Sequence, residues 1–232
     1  MRIALIGYGK MGKTIEMLAT RRGHSIGLKT NEFSDSENLS DIDVAIEFSE
    51  PKSAFQNIER CIEQGIPVVS GTTGWLSRYD EMVKFCENSN GSFIYASNFS
   101  IGVNLFFKIN EFVSKLMKDH NNYNVSIEEI HHLEKKDAPS GTAISLAECI
   151  IESTDITGWV TEESQKDMIN IDSKRIEDVK GTHIVKYDSK IDLISIKHQA
   201  HTREGFALGA LFAAEWLIGK KGVYTMNDVL NI

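Results

Sequence analysis

Short apolar runs alternate with segments of helical periodicity over residues 2–95, and this alternation limits the possible fold more than any other feature. It is typical of βαβ units, in which parallel strands form a sheet with helices on both faces. We predict strands at residues 2–6, 25–28, 43–48, 67–70 and 92–95, and helices at residues 11–19, 51–64 and 77–88. The first part of the chain is therefore predicted to be an α/β domain with a doubly wound parallel sheet, Rossmann-like in its architecture.

The first predicted strand ends in a glycine-rich segment that leads directly into a predicted helix. A G-x-G-x-x-G motif in that position is the dinucleotide fingerprint, because the glycines allow a tight turn and let a pyrophosphate approach the helix start. A glycine-rich turn that binds nothing is the alternative. We predict coenzyme contacts from Gly7, Tyr8, Gly9, Lys10, Met11 and Gly12.

The acidic residue that usually follows the second strand and binds the ribose of NAD is missing. Lys29 stands there instead, and a cation suits the 2′-phosphate of NADP. The carboxylate of Glu32 lies nearby, and Lys29 can equally be a solvated strand end. We expect NADPH, NADH or both as coenzymes, with Lys29 among the contacts.

Polar turns follow three further predicted strands, at residues 47–49, 71–74 and 97–99. Because ligands on parallel sheets bind at the carboxyl ends of the strands, we expect these turns and the glycine loop at one edge. Each turn alone is also an ordinary connection between a strand and a helix. Phe48 is assigned to the coenzyme site from its place in the first of these turns.

After Ser100 the pattern changes to a long amphipathic helix at 103–117, a strand at 125–130, a helix at 143–151 and strands at 166–171, 181–187 and 190–198. This order predicts a smaller α+β domain with a mixed or largely antiparallel sheet. A very apolar helix at 206–218 is predicted to pack back onto the first domain. We therefore expect residues 1–103 with 204–232 to form the dinucleotide-binding domain, and residues 104–203 the substrate-binding domain.

Two imidazoles, two ammonium groups and a helix-start turn lie within residues 131–142. His131 and His132 end a predicted strand, Lys135 and Lys136 follow, and Pro139-Ser140-Gly141-Thr142 favours the start of a helix. Free N–H groups at a helix start bind anions, and glycine allows close approach to the backbone. The stretch therefore predicts a pocket for a small substrate with several negative charges.

Two other interpretations of these histidines are possible. An exposed polar loop is the simplest alternative, and the capped turn argues against it. A metal site is disfavoured because His131 and His132 are adjacent in a strand and point to opposite faces. His198 and His201 are also spaced like a metal pair, but no third ligand stands out, so we predict no metal.

Composition excludes several functional classes. The net charge of −8 argues against general binding of nucleic acid. The longest apolar run, residues 206–218, is too short for a membrane span. Three scattered cysteines without a CxxC pair, and a first strand that starts at Arg2 without room for a signal peptide, favour a cytoplasmic protein.

The chain resembles the dihydrodipicolinate reductase family over essentially its whole length. The most specific match is His131-His132-x-x-Lys135-x-Asp137-x-Pro139-Ser140-Gly141-Thr142. Gly71-Thr-Thr-Gly, Asn98-Phe-Ser-x-Gly-Val-Asn104, and Arg175 with Gly181 and His183 also match family patterns. The resemblance implies a Rossmann-like domain plus an α+β domain that assembles a homotetramer.

The resemblance also implies the reaction, which is NAD(P)H-dependent reduction of 4-hydroxy-tetrahydrodipicolinate to tetrahydrodipicolinate in diaminopimelate and lysine biosynthesis. By this likeness the catalytic residues are His131, a proton donor or acceptor, and Lys135, the proton donor. His132, Gly141 and Thr142 would contact the substrate carboxylates, with Ser140 alongside. The nucleotide would also contact Gly71, Thr72, Thr73, Ser97, Asn98 and Phe99.

The sequence departs from the family pattern outside that motif. Glu47-Phe-Ser replaces a common Asp-Phe-Thr, Glu177 replaces a common glycine, the glycine loop is one residue shorter, and the region after the second strand is abbreviated. The last two leave the coenzyme preference open. A different NAD(P)-dependent reductase of a small carboxylate gives no reason for the Ser-Gly-Thr turn beside a histidine pair. A non-catalytic regulator would not need Lys135.

Overall fold

The computed structural model describes residues 1–31, 33, 39–163, 165–202 and 204–232. The chain divides into two compact units. Unit 1 comprises Met1–Ile101 and Glu204–Ile232, and unit 2 comprises Gly102–Arg203. Within the described ranges, no helix combines the length and the apolar character that crossing a membrane requires.

Unit 1 contains a six-stranded sheet in which every strand pair is parallel, in the order β11-β5-β4-β3-β1-β2. Numbered along the chain, its strands are β1 (Arg2–Ile6), β2 (Ser25–Thr30), β3 (Val44–Glu47), β4 (Val68–Ser70), β5 (Ser92–Tyr95) and β11 (Gly222–Tyr224). The helices are α1 (Lys10–Arg21), α2 (Pro51–Glu63), α3 (Tyr79–Asn88), α6 (Glu204–Leu217) and α7 (Met226–Leu230). The predicted fold class is confirmed.

The sheet of unit 1 has a hydrophobic core on each face. Because side chains alternate along a strand, Ile3 and Leu5 of β1 pack in one core with α1 and α6, while Ala4 and Ile6 pack in the other with α2 and α3. The apolar helix predicted near the C-terminus is α6, whose buried alanines and leucines lie in the first of these cores, as expected.

Unit 2 contains a five-stranded mixed sheet in the order β10-β9-β6-β8-β7. Strand β6 is antiparallel to β9 and parallel to β8. The strands are β6 (Asn124–His131), β7 (Gly158–Val160), β8 (Met168–Arg175), β9 (Thr182–Asp188) and β10 (Leu193–Gln199), and the helices are α4 (Ile101–Met117) and α5 (Gly141–Ser153). Phe106 of α4 and Leu146 of α5 pack with Ile127 and Val185 of the sheet.

The structure differs from the predicted elements mainly at short strands. Strand β7 was not predicted, because three residues are too few for a periodic signal. Strand β8 extends to Arg175, beyond the predicted end at residue 171. The terminal segment contains both β11 and α7. Glu32, which we named beside Lys29, lies outside the described residues.

Candidate active site

The glycine loop between β1 and α1 has a backbone that only glycine fits at two of its three glycine positions. Gly7 has a φ of +91°, and a Cβ on it would lie 2.0 Å from the carbonyl oxygen of Phe48. A Cβ on Gly12 would lie 2.4 Å from the carbonyl oxygen of Gly7. At Gly9 no described atom lies within 4 Å of the Cβ position, so the backbone there is open to a ligand.

The start of α1 is suited to a phosphate group. In the described part of the chain no side chain caps the helix at Gly9, so the first N–H groups of α1 keep their partial positive charge. Lys10 is exposed at this end, and Tyr8 and Met11 are half-buried beside it. The open backbone, the uncapped helix start and the nearby cation together fit the pyrophosphate of a dinucleotide.

Lys29, predicted to bind a 2′-phosphate, forms an ion pair with α1. Its Nζ lies 2.5 Å from Oε1 of Glu16, and the hydroxyl of Tyr8 donates to the other oxygen of that carboxylate. Hydrogen bonding between the two raises the pKa of Lys29 and lowers the pKa of Glu16. A 2′-phosphate would therefore compete with Glu16 for Lys29.

A fully buried carboxylate, Glu47, joins the ends of β3 and β4. Its oxygens accept hydrogen bonds from Ser70 Oγ at 2.6 Å, Thr72 Oγ1 at 2.7 Å and the backbone N–H of Ser49 at 2.9 Å. Because the hydroxyl of Thr72 is used inside the protein, the turn presents its backbone and the exposed Thr73 to a ligand.

Phe48 fixes the spacing between two of the predicted coenzyme turns. A Cβ on Gly71 would lie 2.1 Å from the Phe48 ring, and that ring contacts Phe99 edge-on with centroids 5.8 Å apart. Ser97 is exposed, and Asn98 Oδ1 accepts the backbone N–H of Ser100 at 2.9 Å. Since β5, β4, β3 and β1 are neighbours in one parallel sheet, the four predicted turns lie along a single edge.

In unit 2, the predicted sequence of strand, basic loop and helix start is present. Strand β6 ends at His131, and Ser140 caps α5 by accepting the backbone N–H of Ala143 at 3.2 Å. Among the described residues, no group accepts a hydrogen bond from the backbone N–H of Gly141 or Thr142. Two donors at a helix N-terminus are thus available to a carboxylate.

Glu129 lies beneath this helix start and is fully buried. It sits in a row across three strands, paired with Ser173 of β8 on one side and with His183 of β9 on the other. Both carboxylate oxygens lie 3.1 Å from the backbone nitrogen of Ser140, and Ser173 Oγ donates at 2.8 Å. Burial raises the pKa of Glu129, but the hydrogen bonds from Ser140 and Ser173 outweigh it, so the carboxyl group is ionised.

Two histidines contact this carboxylate, and both are neutral at physiological pH. Nδ1 of His131 lies 3.4 Å from Oε2 of Glu129, and Nε2 of His183 lies 3.8 Å from the same oxygen. Burial lowers the pKa of His131, although Glu129 opposes this shift. Burial, helped by His131, lowers the pKa of His183 to about 3. His183 Nε2 also lies 3.2 Å from Ser140 Oγ, which ties the ring to the helix cap.

The basic loop is held by an arginine from β8. Arg175 Nη2 donates to the carbonyl oxygen of Asp137 at 2.6 Å, and Nε donates to that of Lys135 at 3.3 Å. The Lys135 ammonium lies 2.7 Å from a carboxylate oxygen of Asp137, and this pairing lowers the pKa of Asp137. Lys135 is 21% exposed, whereas Lys136 points into solvent. Of the two lysines, Lys135 is the one that is partly buried in the loop.

His132 is half-buried, and its Nδ1 is buried without a hydrogen-bond partner among the described residues. A buried polar atom of this kind is costly unless a ligand or water satisfies it. The orphaned nitrogen fits the predicted role of His132 in binding an anion.

Glu129, His131 and His183 are also close enough for their ligand atoms to share a metal ion, since these atoms lie within 4.8 Å of one another. The guanidinium of Arg175 lies 3.4 Å from Glu129 Oε1, and the Ser140 N–H occupies the other oxygen as well. A cation and several donors already neutralise this carboxylate, so the geometry favours an anion pocket over a metal centre. His198 and His201 are not part of this cluster.

Glu129 was not among the predicted site residues, and neither were Ser173, Arg175 and His183. One local signal was present, because Glu129 and His131 are two positions apart in a strand and therefore share a face. The other contacts depend on the pairing of β6 with β8 and β9, which joins residues more than 40 positions apart in the sequence.

Comparison with known proteins covers both units. Residues 1–99 match the family model described as dihydrodipicolinate reductase, N-terminus, and residues 102–230 match the model for its C-terminus. A 4-hydroxy-tetrahydrodipicolinate reductase from Christiangramia forsetii is 52% identical over 234 residues, covering 100% of this chain and 98% of that protein. The corresponding enzyme from Neisseria gonorrhoeae is 32% identical, over 94% of this chain and 84% of that protein.

A solved structure shows the same fold. The dipicolinate-bound dihydrodipicolinate reductase from Paenisporosarcina superposes with a TM-score of 0.79, covering 97% of each chain at 22% identity. At that identity the structural match supports the two-unit architecture alone.

Proposed function

The chain belongs to the dihydrodipicolinate reductase family, and from this premise we propose which of its residues bind the substrate, bind the coenzyme and transfer protons. It is an NAD(P)H-dependent oxidoreductase that reduces 4-hydroxy-tetrahydrodipicolinate in diaminopimelate and lysine biosynthesis. The start of α5 is the observation that best supports a substrate pocket in this region. The backbone N–H groups of Gly141 and Thr142 have no acceptor among the described residues. The segment that leads into this helix also supplies a His132 nitrogen without a described partner and the Lys135 ammonium.

The substrate is a ring with two carboxylates, and we propose that unit 2 binds it. Gly141 and Thr142 donate their N–H groups to one carboxylate, with the cap residue Ser140 fixing the turn. The imidazole of His132 donates to an anionic oxygen of the substrate. Such preorganised donors cost little reorganisation when the ligand arrives.

We propose that unit 1 holds the coenzyme, on the glycine loop and the turns after β3, β4 and β5. The coenzyme supplies a hydride when it is bound. The chain's part is to hold the pyrophosphate at residues 7–12 and to present the backbone at Gly71, Thr72 and Thr73, with Phe48, Ser97, Asn98 and Phe99 completing the edge.

Reduction of the conjugated ring system leaves negative charge that must be met by a cation and then a proton. Lys135 is suited to both tasks, because its ammonium reaches the pocket wall and its partner Asp137 is largely exposed and easily displaced. His131 is neutral near pH 7, since burial lowers its pKa, so it serves as an acceptor or relay of a proton more readily than as a charged donor.

An absorbance assay at the nicotinamide band tests this reading. A coupling synthase supplies fresh substrate from pyruvate and aspartate semialdehyde. We expect oxidation of NADPH, NADH or both only when the coupled substrate is present. Folded protein that oxidises neither coenzyme under these conditions would contradict the proposal.

We also propose a homotetramer assembled through unit 2. In support, the turn before β10 and β10 itself carry exposed apolar side chains at Ile191, Leu193 and Ile194. The outer face of α4 adds Leu105, Ile109, Phe112 and Leu116, all exposed. Exposed apolar surface of this kind is typical of assembly interfaces. Light scattering at micromolar concentration would contradict the proposal if it gave the 26.0 kDa mass of one chain.

We also propose a cytoplasmic location. Cys61, Cys86 and Cys149 are all free thiols, and the first two are buried. Unpaired cysteines are usual in a reducing compartment.

A further inference from the structure

Glu129 is a buried charge beneath the start of α5. Besides Ser173 and His183, its carboxylate faces three groups from three different segments. These are the Nδ1 of His131 at 3.4 Å, the backbone N–H of Ser140 at 3.1 Å and the guanidinium of Arg175 at 3.4 Å. Each contact fixes a different functional segment.

The first two contacts hold the strand end and the helix start. His131 lies two residues after Glu129 on the same face of β6, and its Nδ1 is close enough for the charge of the carboxylate to act on the ring, although the two form no hydrogen bond. Ser140 is the cap of α5, and fixing its N–H against Glu129 places the next two N–H groups, those of Gly141 and Thr142, at the pocket.

The third contact acts on the basic loop indirectly, through Arg175. Arg175 is paired with His131 across the β6–β8 ladder, and its guanidinium donates to the carbonyl oxygens of Lys135 and Asp137. Glu129 keeps this guanidinium in place, so the position of Lys135 depends on it. A single carboxylate thus connects the proposed proton donor, the neighbouring imidazole and the proposed carboxylate site.

Burial of this charge is not explained by packing alone. Removing an ionised carboxylate from water is costly, and apolar residues in the same space are often as stable as a buried ion pair. The neighbouring residue Glu128 shows the alternative. It points to the other face of β6, keeps some contact with solvent and pairs with Lys174 and Lys186 at 3.0 and 2.9 Å.

We propose that Glu129 is a positioning residue of the reductase site, which holds His131, the start of α5 and the Lys135 loop in the arrangement that binds and protonates the substrate. It does not touch the substrate itself. The inference rests on the proposed function of this pocket, and it assigns the geometry of that pocket to one residue that the sequence motif does not include.

Glu129→Gln tests the proposal, because the amide keeps the shape of the side chain and removes its charge. We expect kcat/KM to fall by about 10- to 100-fold, as is common when a residue that orients a functional group is replaced. Dipicolinate, a planar ring with two carboxylates, should bind more weakly in a calorimetric titration. Coenzyme affinity, which depends on unit 1, should stay unchanged.

The pH profile separates positioning from simple destabilisation. The charged or titratable groups that act on His131 are Glu129, Asp137, Lys135, Arg175 and His183. Of these, Glu129 is the main group that opposes the lowered pKa of His131. In Glu129→Gln, a limb of the kcat/KM profile that reflects His131 should move to lower pH. A merely structural role would lower the amount of folded enzyme and leave that limb in place.

Glu128→Gln is the matched control, since it removes a paired carboxylate from the adjacent position and should leave the kinetics near those of the wild type. If Glu129→Gln does not fold, Ser173→Ala tests the proposal instead, because it removes only one donor to the same carboxylate. This variant should lower kcat/KM and weaken dipicolinate binding, to a smaller degree than Glu129→Gln. If both variants fold and both show wild-type kinetics, the proposal is wrong. If Glu129→Gln does not fold, wild-type kinetics in Ser173→Ala are enough to overturn it. An inactive wild type would instead overturn the proposed function.

Discussion

The two proposed binding regions of this protein differ in what defines them, which is backbone shape in unit 1 and charge in unit 2. In unit 1 the region at residues 7–12 is defined by backbone shape, since a Cβ at Gly7 or Gly12 would collide with a carbonyl oxygen. In unit 2 the proposed pocket is defined by polar side chains gathered around the ion pair of Glu129 and Arg175, while its turn glycine, Gly141, has no described atom within 4 Å of its Cβ position.

This difference predicts two kinds of sensitivity. A region made by shape should fail when atoms are added, whatever their charge. A region made by charge should fail when a charge is removed, even if the shape is kept. Substitutions in each region test this difference.

Removal of the Lys135 charge should have the largest effect. Lys135→Met keeps the apolar stem and deletes the ammonium, so kcat should fall by about 10²–10⁴-fold, the usual contribution of a positioned acid. Coenzyme affinity, measured by fluorescence, should not change, because the coenzyme residues lie in unit 1.

Lys136→Met serves as the control for that variant. Lys136 is the adjacent lysine and points into solvent, so its loss should change kcat little. If Lys135→Met kept near wild-type kcat, or if Lys136→Met were the more damaging change, Lys135 would not be the proton donor.

The same contrast explains what the sequence made predictable. The fold of unit 1 follows from local alternation, because each parallel strand joins the next through a helix and the glycine motif lies between two of them. The capped helix start at Ser140 was also predictable, since capping depends on neighbours only three residues apart.

The buried cluster of polar side chains around Glu129 was not predictable from the sequence. Glu129, Ser173 and His183 meet only because β6 pairs with β8 and β9 in one particular register, and a shift of one residue would turn Glu129 to the other face. Likewise, Glu47 is a single carboxylate at a strand end, and the hydroxyl groups of Ser70 and Thr72 reach it because β3 pairs with β4.

An added methyl group should disrupt the glycine loop. Gly7→Ala must adopt a positive φ and approach the Phe48 carbonyl, so we expect a clearly lower melting temperature and coenzyme affinity reduced by at least about 10-fold. Gly9→Ala meets no described atom, so its melting temperature should match the wild type while coenzyme binding weakens. Unchanged coenzyme affinity in Gly9→Ala would show that the pyrophosphate does not lie there.

Loss of stability in mild acid should originate in unit 2, which contains His131, His183 and His198, whose pKa values burial lowers. Native His183 has a pKa of about 3, whereas an unfolded histidine titrates near 6.5, so the unfolded chain takes up the proton first. Stability is therefore complete above about pH 6.5 and falls by about 1.4 kcal/mol per pH unit as the pH decreases toward 3.

Melting temperatures of the wild type and His183→Gln between pH 7 and pH 5 measure this effect. Burial raises the pKa of Glu129, but the hydrogen bonds from Ser140 and Ser173 lower it further than burial raises it, so this carboxylate loses its contribution only at lower pH than the histidines do. We expect a shallower dependence in His183→Gln, with a remainder due to His131 and His198, whose pKa values burial also lowers. Equal slopes in the two proteins would contradict the assignment.

The smallest effect should come from Lys29, where unit 1 does use charge. Its ammonium is exposed and already paired with Glu16, so a 2′-phosphate gains only part of its attraction. Lys29→Ala should lower the NADPH/NADH affinity ratio by about two- to fivefold, as expected for an exposed ion pair. Glu16→Gln should raise the same ratio, because it frees Lys29 for the phosphate. If neither substitution changed the ratio in coenzyme titrations, charge would play no part in coenzyme choice and the glycine loop would act by shape alone.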